Sequence, residues 1–457
     1  MFSNDCIAAI ATPLGEGGLA VVRVSGPRAL AVADACFVPR GKRSLKPGAA
    51  PSHTIQYGHI LRQGRIVDEV LASVMRAPRT FTAEDTVEIT CHGGLLPARL
   101  VLDALLEGGA RLAEPGEFTR RAFLNGRIDL AQAEAVADLI HSRTELALTA
   151  ANEQLAGKLS QRINQLRDDL VKTLAHIEAH IDFPDEDIAP DTKEQLLGRL
   201  GRAVGFMDDL LRTANEGQIL RRGIRAAIVG RPNAGKSSLL NQLLGHDRAI
   251  VSPIPGTTRD TIEETANVRG LPVVFIDTAG LREAGDEIEA EGVRRSRSSL
   301  AKAELILHVL DASEPFTEED ARYLAEFGDR TRIIVCNKAD LPRRLTLPAN
   351  TPAQAVDVSS LTAAGLETLK DAIKDAVWSG EIKAEMLQVM INARHQDALR
   401  RAREATQRTL DALGAAATLE LAAMDLRIAV NAVGEVVGKT STEDLLDSIF
   451  SQFCIGK

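Results

Sequence analysis

Cysteine is scarce in this chain of 457 residues, which has only Cys6, Cys36, Cys91, Cys336 and Cys454. Their odd number, wide spacing and lack of any CxxC pair exclude a disulfide framework and a zinc site of ordinary ligand spacing. No apolar run is long enough to span a bilayer. The N-terminus, MFSNDCIAAIATPLGEGG, has no basic stretch followed by an apolar core, so no secretory signal is expected. Positive charge is not in excess either: Lys+Arg 54 against Asp+Glu 63 gives a formal charge of −9. That balance offers no global electrostatic reason to bind nucleic acid, so an RNA contact needs a local basic patch or a partner. Together these absences predict a reducing, cytoplasmic setting. What is present is ordinary for a globular protein, with 45% hydrophobic and 26% charged residues. The length exceeds one compact core, so two or three domains are expected.

The expected fold class is multidomain, α/β together with all-α. Residues 1–121 read as mixed α/β, with strand-like runs at Ile7–Ile10, Leu19–Val24, Val70–Val74 and Val87–Ile89 set apart by Gly and Pro. From 122 the texture turns helical: Ala131–Ala179 is rich in Ala, Leu, Glu and Gln with a single Gly, Gly157. It stops at the acidic, proline-bearing turn Asp182–Asp187, and a further helix is predicted from Thr192 to Ala214. Residues 382–457 are helical again. The simplest organisation is one helical domain, 122–219 and 382–457, into which a domain spanning 223–379 is inserted.

The inserted segment carries the chemistry. A strand, Arg225–Val229, runs into Gly230-Arg-Pro-Asn-Ala-Gly235-Lys236-Ser237, and a helix, Ser238–Leu244, comes next. This is GxxxxGK[ST] in the strand-loop-helix context that a phosphate cradle requires: glycines let backbone N–H groups wrap the phosphates, and the helix N-terminus adds favourable partial charge. Lys236 is expected on the β and γ phosphates and Ser237 on Mg2+. The strand Val273–Ile276 ends in Asp277-Thr278-Ala279-Gly280, a carboxylate for the Mg2+ shell and an amide to sense the γ-phosphate. Between them lies Gly256-Thr257-Thr258-Arg259-Asp260, where Thr258 completes the Mg2+ shell. The strand Arg332–Val335 leads into Asn337-Lys338-Ala339-Asp340, whose Asp340 accepts from guanine N1–H and the exocyclic amine. Ser359-Ser360-Leu361 then supplies backbone N–H to the guanine oxygen. The base is therefore guanine. The nucleotide-binding set also takes in Asn233, Ala234, Gly235 and Ser238 from the first loop, and Ser252, Pro253, Ile254 and Pro255 ahead of Gly256.

Where many small GTPases have a water-orienting Gln after the DxxG glycine, this chain has Leu281, so another group must act on the water. The acidic segment Arg282-Glu283 to Glu289 offers a carboxylate. For charge stabilisation the candidates are Arg259, Arg282 or a monovalent cation held by Asn233 and the carbonyls of Ser252–Thr257.

GRPNAGKSS, PGTTRD, DTAGLRE, NKAD and the terminal Phe453-Cys454-Ile455-Gly456-Lys457 closely resemble the bacterial tRNA modification GTPase family MnmE (TrmE). So do Ala11-Thr12-Pro13…Gly17-Gly18, Phe81-Thr82-Ala83-Glu84-Asp85, Cys91-His92-Gly93-Gly94, Glu114-Pro115-Gly116-Glu117-Phe118 and Arg121–Asn125. The resemblance implies an N-terminal α/β domain that dimerises and binds 5-formyl- or 5,10-methylene-tetrahydrofolate, a helical domain, and an inserted P-loop, Ras-like G domain. It implies a homodimer and a heterotetramer with the flavoprotein MnmG (GidA), which carries FAD. Their joint product is a carboxymethylaminomethyl-type group at C5 of the wobble uridine of certain tRNAs. Carried over by position, K+ falls on Asn233, Ser252, Ile254 and Thr257, Mg2+ on Ser237 and Thr258, and the catalytic carboxylate is Glu289. Folate falls on Arg23, Glu88, Arg127 and Lys457. Cys454 reads as a packing residue as readily as a catalytic one, and His92, beside Gly93 and Gly94, as structural. The alternative function is an RNA- or ribosome-associated switch GTPase without modification chemistry; it requires a basic RNA-binding appendage, and neither flanking region has a dense Lys/Arg cluster.

Overall fold

A computed structural model of the chain describes residues 5–182, 193–245, 264–276, 302–326, 330–348, 353–378, 387, 390–415, 418–440 and 442–457. Its helices, in chain order, are α1 (Ala29–Cys36), α2 (Leu95–Glu107), α3 (Glu117–Leu124), α4 (Leu130–His141), α5 (Glu145–Leu155), α6 (Lys158–Asp182) and α7 (Lys193–Arg212). Then come α8 (Ala214–Arg222), α9 (Lys236–Leu244), α10 (Glu318–Glu326), α11 (Leu366–Val377), α12 (Ala393–Gly414), α13 (Leu419–Val437) and α14 (Glu443–Phe450). Two compact units result, one of residues 1–137, 155–197 and 408–457, the other of 138–154 and 198–407.

In the first unit, β1 (Ile7–Ile10), β2 (Leu19–Ser25), β3 (Phe37–Pro39), β4 (Thr54–Arg62), β5 (Arg65–Met75), β6 (Thr86–His92) and β7 (Arg111–Leu112) form a sheet of order β3-β4-β5-β6-β2-β1-β7. Every pairing is antiparallel except β1 with β7. Alternation sorts the side chains. Val22 and Val24 of β2, Val70 and Ala72 of β5, and Val87 and Ile89 of β6 are buried in one core with residues of α1 and α2. The intervening residues point to the opposite face, where the β2/β6 register sets Arg23 directly across from Glu88.

The helical stretch predicted from Ala131 to Ala179 is three helices. Ser142-Arg143-Thr144 breaks it first, with the Thr144 hydroxyl accepting from Ala147 N at 3.2 Å to start the next helix. Gly157, at φ +84°, breaks it again before α6. In the first unit α6 buries Leu159, Ile163, Leu166, Leu170, Thr173 and Ile177, at spacings of four and three that make one stripe. That stripe packs along α13, whose buried face is mostly Ala and Val. Phe450 and Phe453 close the unit by joining Ala122, Ile128 and Leu130 in an apolar cluster. The terminal segment is tied down by a Gly116 N–H donating to Cys454 O at 3.4 Å.

The second unit holds β8 (Ile224–Val229), β9 (Glu264–Val268), β10 (Leu271–Phe275), β11 (Leu305–Asp311), β12 (Thr331–Asn337) and β13 (Gln354–Asp357). Their order is β13-β12-β11-β8-β10-β9, parallel throughout except β9 with β10. From β8 the chain builds to β10 on one side and to β11 on the other, so the strand order reverses there. The crevice beyond the carboxyl end of the reversal strand is where open α/β sheets bind ligands. Residues 230–235, the predicted phosphate loop, leave β8 at that point.

Candidate functional site

The phosphate loop has the backbone that its glycines allow. Gly230 sits at φ +145° with the Val309 carbonyl oxygen where a Cβ would be, and Gly235 sits at φ +91° with the Asn337 side-chain amide against it. Asn233 also takes a left-handed conformation, φ +62°, and its exposed side chain has no partner among the described residues. Lys236 opens α9 and donates Nζ to the carbonyl oxygens of Gly230 at 2.8 Å and Arg231 at 2.7 Å. Burial pushes the Lys236 pKa below the ordinary lysine value, with Glu319 opposing. Arg231 is anchored through its Nε to the buried Asp320 at 2.8 Å.

Asn337 joins this loop to the base-reading end. It is 1% exposed. Its Nδ2 donates to Ala234 O at 2.9 Å, and its Oδ1 accepts from Ser360 N at 3.0 Å and Ser360 Oγ at 2.8 Å. Lys338, at φ +62°, pairs Nζ with Asp311 Oδ2 at 2.5 Å. Asp311 ends β11, and hydrogen bonds from Lys338 and Ser313 outweigh burial to hold its carboxyl below the ordinary range. Asp340 accepts from Ser359 Oγ at 2.5 Å, which orients its carboxylate. Of the three amides expected to face the guanine oxygen, Ser359 N is spent on Ala364 O at 2.9 Å and Ser360 N on Asn337. Leu361, 82% exposed, keeps an amide with no partner among the described residues. The structure thus brings Asn233, Ala234, Gly235, Lys236, Asn337, Lys338, Asp340, Ser359 and Ser360 into one unit's connected set. Ser252, Pro253, Ile254, Pro255, Gly256, Thr257, Thr258, Asp277, Thr278, Ala279, Gly280 and Glu289 lie outside the described residues, as do Arg259, Arg282 and Glu283.

A second cluster forms in the other unit. Arg23 and Glu88 make an ion pair at 2.7 Å, and the Arg23 guanidinium lies 5.8 Å from the Phe81 ring centre and 5.4 Å from that of Phe118. Arg127 lies over Phe81 at 5.3 Å. Lys457 reaches the same place: burial first, and then nearby Arg23, lower its pKa, with Glu88 opposing. What seats the tail is Gly456, at φ +97°, where a Cβ would lie 2.5 Å from Ile10 O. All four residues expected on folate therefore converge, with more cation than anion and two aromatic rings. That composition suits a ligand with an anionic tail and a flat ring. In the sequence Phe81 and Phe118 are only parts of motifs; their roles and that of Asp311 emerge in three dimensions. His92 is elsewhere on the sheet, paired through Nδ1 with Asp68 Oδ1 at 2.7 Å. Cys454 is exposed, and the other four cysteines are buried and free.

The TrmE N-terminus profile ("GTP-binding protein TrmE N-terminus") matches residues 6–127, and the MnmE helical domain profile matches residues 130–454. A protein of Geobacillus kaustophilus named tRNA modification GTPase MnmE is 50% identical, covering 100% of each chain. One of the same name from Chloroflexus aurantiacus is 49% identical over 99% of this chain and 100% of its own. Among solved structures, the G domain of the T. maritima FeoB iron transporter is 26% identical, covering 34% of this chain and 98% of that one, at a TM-score of 0.26 that adds nothing to the case. Half-identity over the whole length, on top of both profiles, settles the matter: the chain belongs to the tRNA modification GTPase MnmE family.

Proposed function

We propose that this chain, a GTP hydrolase of that family, works with a flavoprotein of the MnmG (GidA) type to add a carboxymethylaminomethyl-type group at C5 of the wobble uridine of certain tRNAs. The observation that best supports this is the convergence of Arg23, Glu88, Arg127 and Lys457 around Phe81 and Phe118. A switch GTPase without modification chemistry has no use for such a cluster. A 5-formyl- or 5,10-methylene-tetrahydrofolate, when bound, supplies the one-carbon unit. In this reading Arg127 and Lys457 hold the glutamate carboxylates and Glu88 accepts from the pterin amide and amine. Arg23 holds the Glu88 carboxylate in place through their ion pair, and the rings exclude water.

The division of labour runs along the sequence. Residues 1–121 form the folate-binding domain and the homodimer surface, 122–219 and 382–457 the helical domain, and 223–379 the G domain. Ser237 and Thr258 hold Mg2+; Asn233, Ser252, Ile254 and Thr257 hold K+, which supplies the positive charge that an arginine finger supplies elsewhere. Glu289 orients the attacking water. Asp340, aimed by Ser359, reads guanine. The chain acts in the cytoplasm, as a homodimer that forms a heterotetramer with the flavoprotein.

The test is GTP turnover of the full-length protein with Mg2+ in KCl and in NaCl at matched ionic strength. The expected result is strong acceleration by K+ that Asn233→Ala removes, together with binding of 5-formyl-tetrahydrofolate that Arg127→Ala weakens. Equal slow rates in both salts would overturn the cation site and return attention to Arg259, Arg282 or an external activator. Absence of folate binding would overturn the modification chemistry and favour the plain switch.

A further inference from the structure

We propose that His176 and His180 of α6 form a chelating site for a borderline divalent transition-metal ion of the Cu2+, Ni2+ or Zn2+ class. Neither residue takes part in the nucleotide or folate clusters. Residues four apart on a helix lie on one face, one turn from each other. Here both imidazoles turn the same nitrogen inward: the two Nε2 atoms are 3.2 Å apart, with ring centres at 4.8 Å and planes at 75°. An ion bound by imidazole nitrogen at about 2.0–2.1 Å in tetrahedral geometry needs its two nitrogens about 3.3–3.4 Å apart. The nitrogen spacing already meets that requirement to within a few tenths of an ångström.

The scaffold favours preorganisation. Both histidines are half-buried. They stand on a helix of 25 residues packed along α13, and the intervening Glu178 is paired with Arg427 at 2.7 Å. In the metal-free state the same 3.2 Å contact is an N–H···N hydrogen bond. Binding requires both Nε2 lone pairs, so the shared proton moves to Nδ1 or to solvent as the two metal–nitrogen bonds form. Among the described residues no group of three or more His, Cys, Asp or Glu is placed to hold a metal. An ion held by these two imidazoles alone is exchangeable, unlike one in a four-ligand structural zinc site. Imidazole donors make Cu2+ the tightest of the series. Mg2+ and K+, which take oxygen ligands, are not bound here.

The experiment is calorimetric titration of tag-free, full-length protein with CuCl2 or NiCl2 in Mg2+-containing buffer. The expected result is a site that His176→Ala and His180→Ala each weaken by roughly tenfold or more, because each leaves a single imidazole. A further variant, Ala175→His with His176→Ala, keeps the number of histidines but sets them five apart, about 140° around the helix. It is expected to weaken binding equally, while His92→Ala leaves it unchanged, and helical circular dichroism confirms that each variant is folded. Affinity within twofold of the native protein in either single variant, or in the five-apart variant, would overturn the proposal. So would loss of the site in His92→Ala.

Discussion

His308 lies in the middle of β11, 0% exposed, and among the described residues neither of its ring nitrogens has a hydrogen-bond partner. Its neighbours are Tyr323, edge-on at 6.0 Å between ring centres, and Arg332, whose charge adds to the effect of burial. Burial first and Arg332 second push its pKa down to about 4, with Asp320 opposing. The ring is therefore neutral in the fold and takes a proton more readily once unfolded, where its pKa is about 6.5. Above that value it has no pH effect; as pH falls from about 6.5 towards 4 the unfolded state gains protons that the folded state cannot, and stability is lost. At pH 5 the loss attributable to this one group is about 2 kcal/mol, approaching about 3 kcal/mol below pH 4. The only tryptophan, Trp378, is 2% exposed in the same unit, packed with Leu220, Leu271 and Met390. Its emission reports when this unit unfolds. Urea unfolding of native protein and His308→Leu, monitored by Trp378 emission at pH 8 and pH 5, isolates the effect as the difference between the two. His308→Leu also removes two unpaired polar atoms at similar volume, so it is expected to gain about 1 kcal/mol or more at pH 8. Equal pH-dependent losses in the two proteins would refute the argument.

Three more outcomes are expected. Asn337→Ala strands Ser360 N–H and Ala234 O in the interior and should cost about 2–3 kcal/mol and most GDP affinity. Asn337→Asp keeps the acceptor for Ser360 but sets oxygen against oxygen at Ala234, so fluorescent-GDP titration should find it no better than the alanine variant; tighter binding would contradict the clamp. Gly456→Val forces a side chain into Ile10 O from a left-handed backbone. It should abolish 5-formyl-tetrahydrofolate binding by withdrawing Lys457, while K+-stimulated GTP turnover persists; a coupled loss of turnover would mean that the tail matters beyond the folate cluster. Glu117 accepts from Arg111 at 2.8 Å and Arg121 at 2.9 Å, and these bonds lower its pKa against burial. Glu117→Gln should destabilise this unit by about 3 kcal/mol in chemical unfolding above pH 5, and a neutral result would show that Asp5 and Glu84 suffice for Arg121.

The first strands are legible in the sequence because alternation and punctuation agree at Ile7–Ile10 and Leu19–Ser25. Thr54–Arg62 is not, because Gly58 interrupts it, and Gly58 is there because a Cβ would lie 2.6 Å from the Phe37 ring. Helical composition is legible over Ala131–Ala179, but its breaks are not, since Thr144 acts as a cap through one hydroxyl and Gly157 through one dihedral.

The amino-acid sequence alone determined that there is a phosphate loop between a strand and a helix, and which base the site reads. Those signals are local: a strand, a turn and a helix start within a dozen residues, and each residue's chemistry is set by its immediate neighbours. Only the tertiary structure decided that Asn337 clamps Ala234 to Ser360, 103 and 23 residues away in the chain. The resemblance grouped Lys457 with Arg23 and Glu88, but the fold is what seats them around Phe81 and Phe118, and it alone set two histidine nitrogens 3.2 Å apart. Sheet register, helix packing and a glycine that admits the terminal segment set those distances, and none of them is a property of any short stretch of chain.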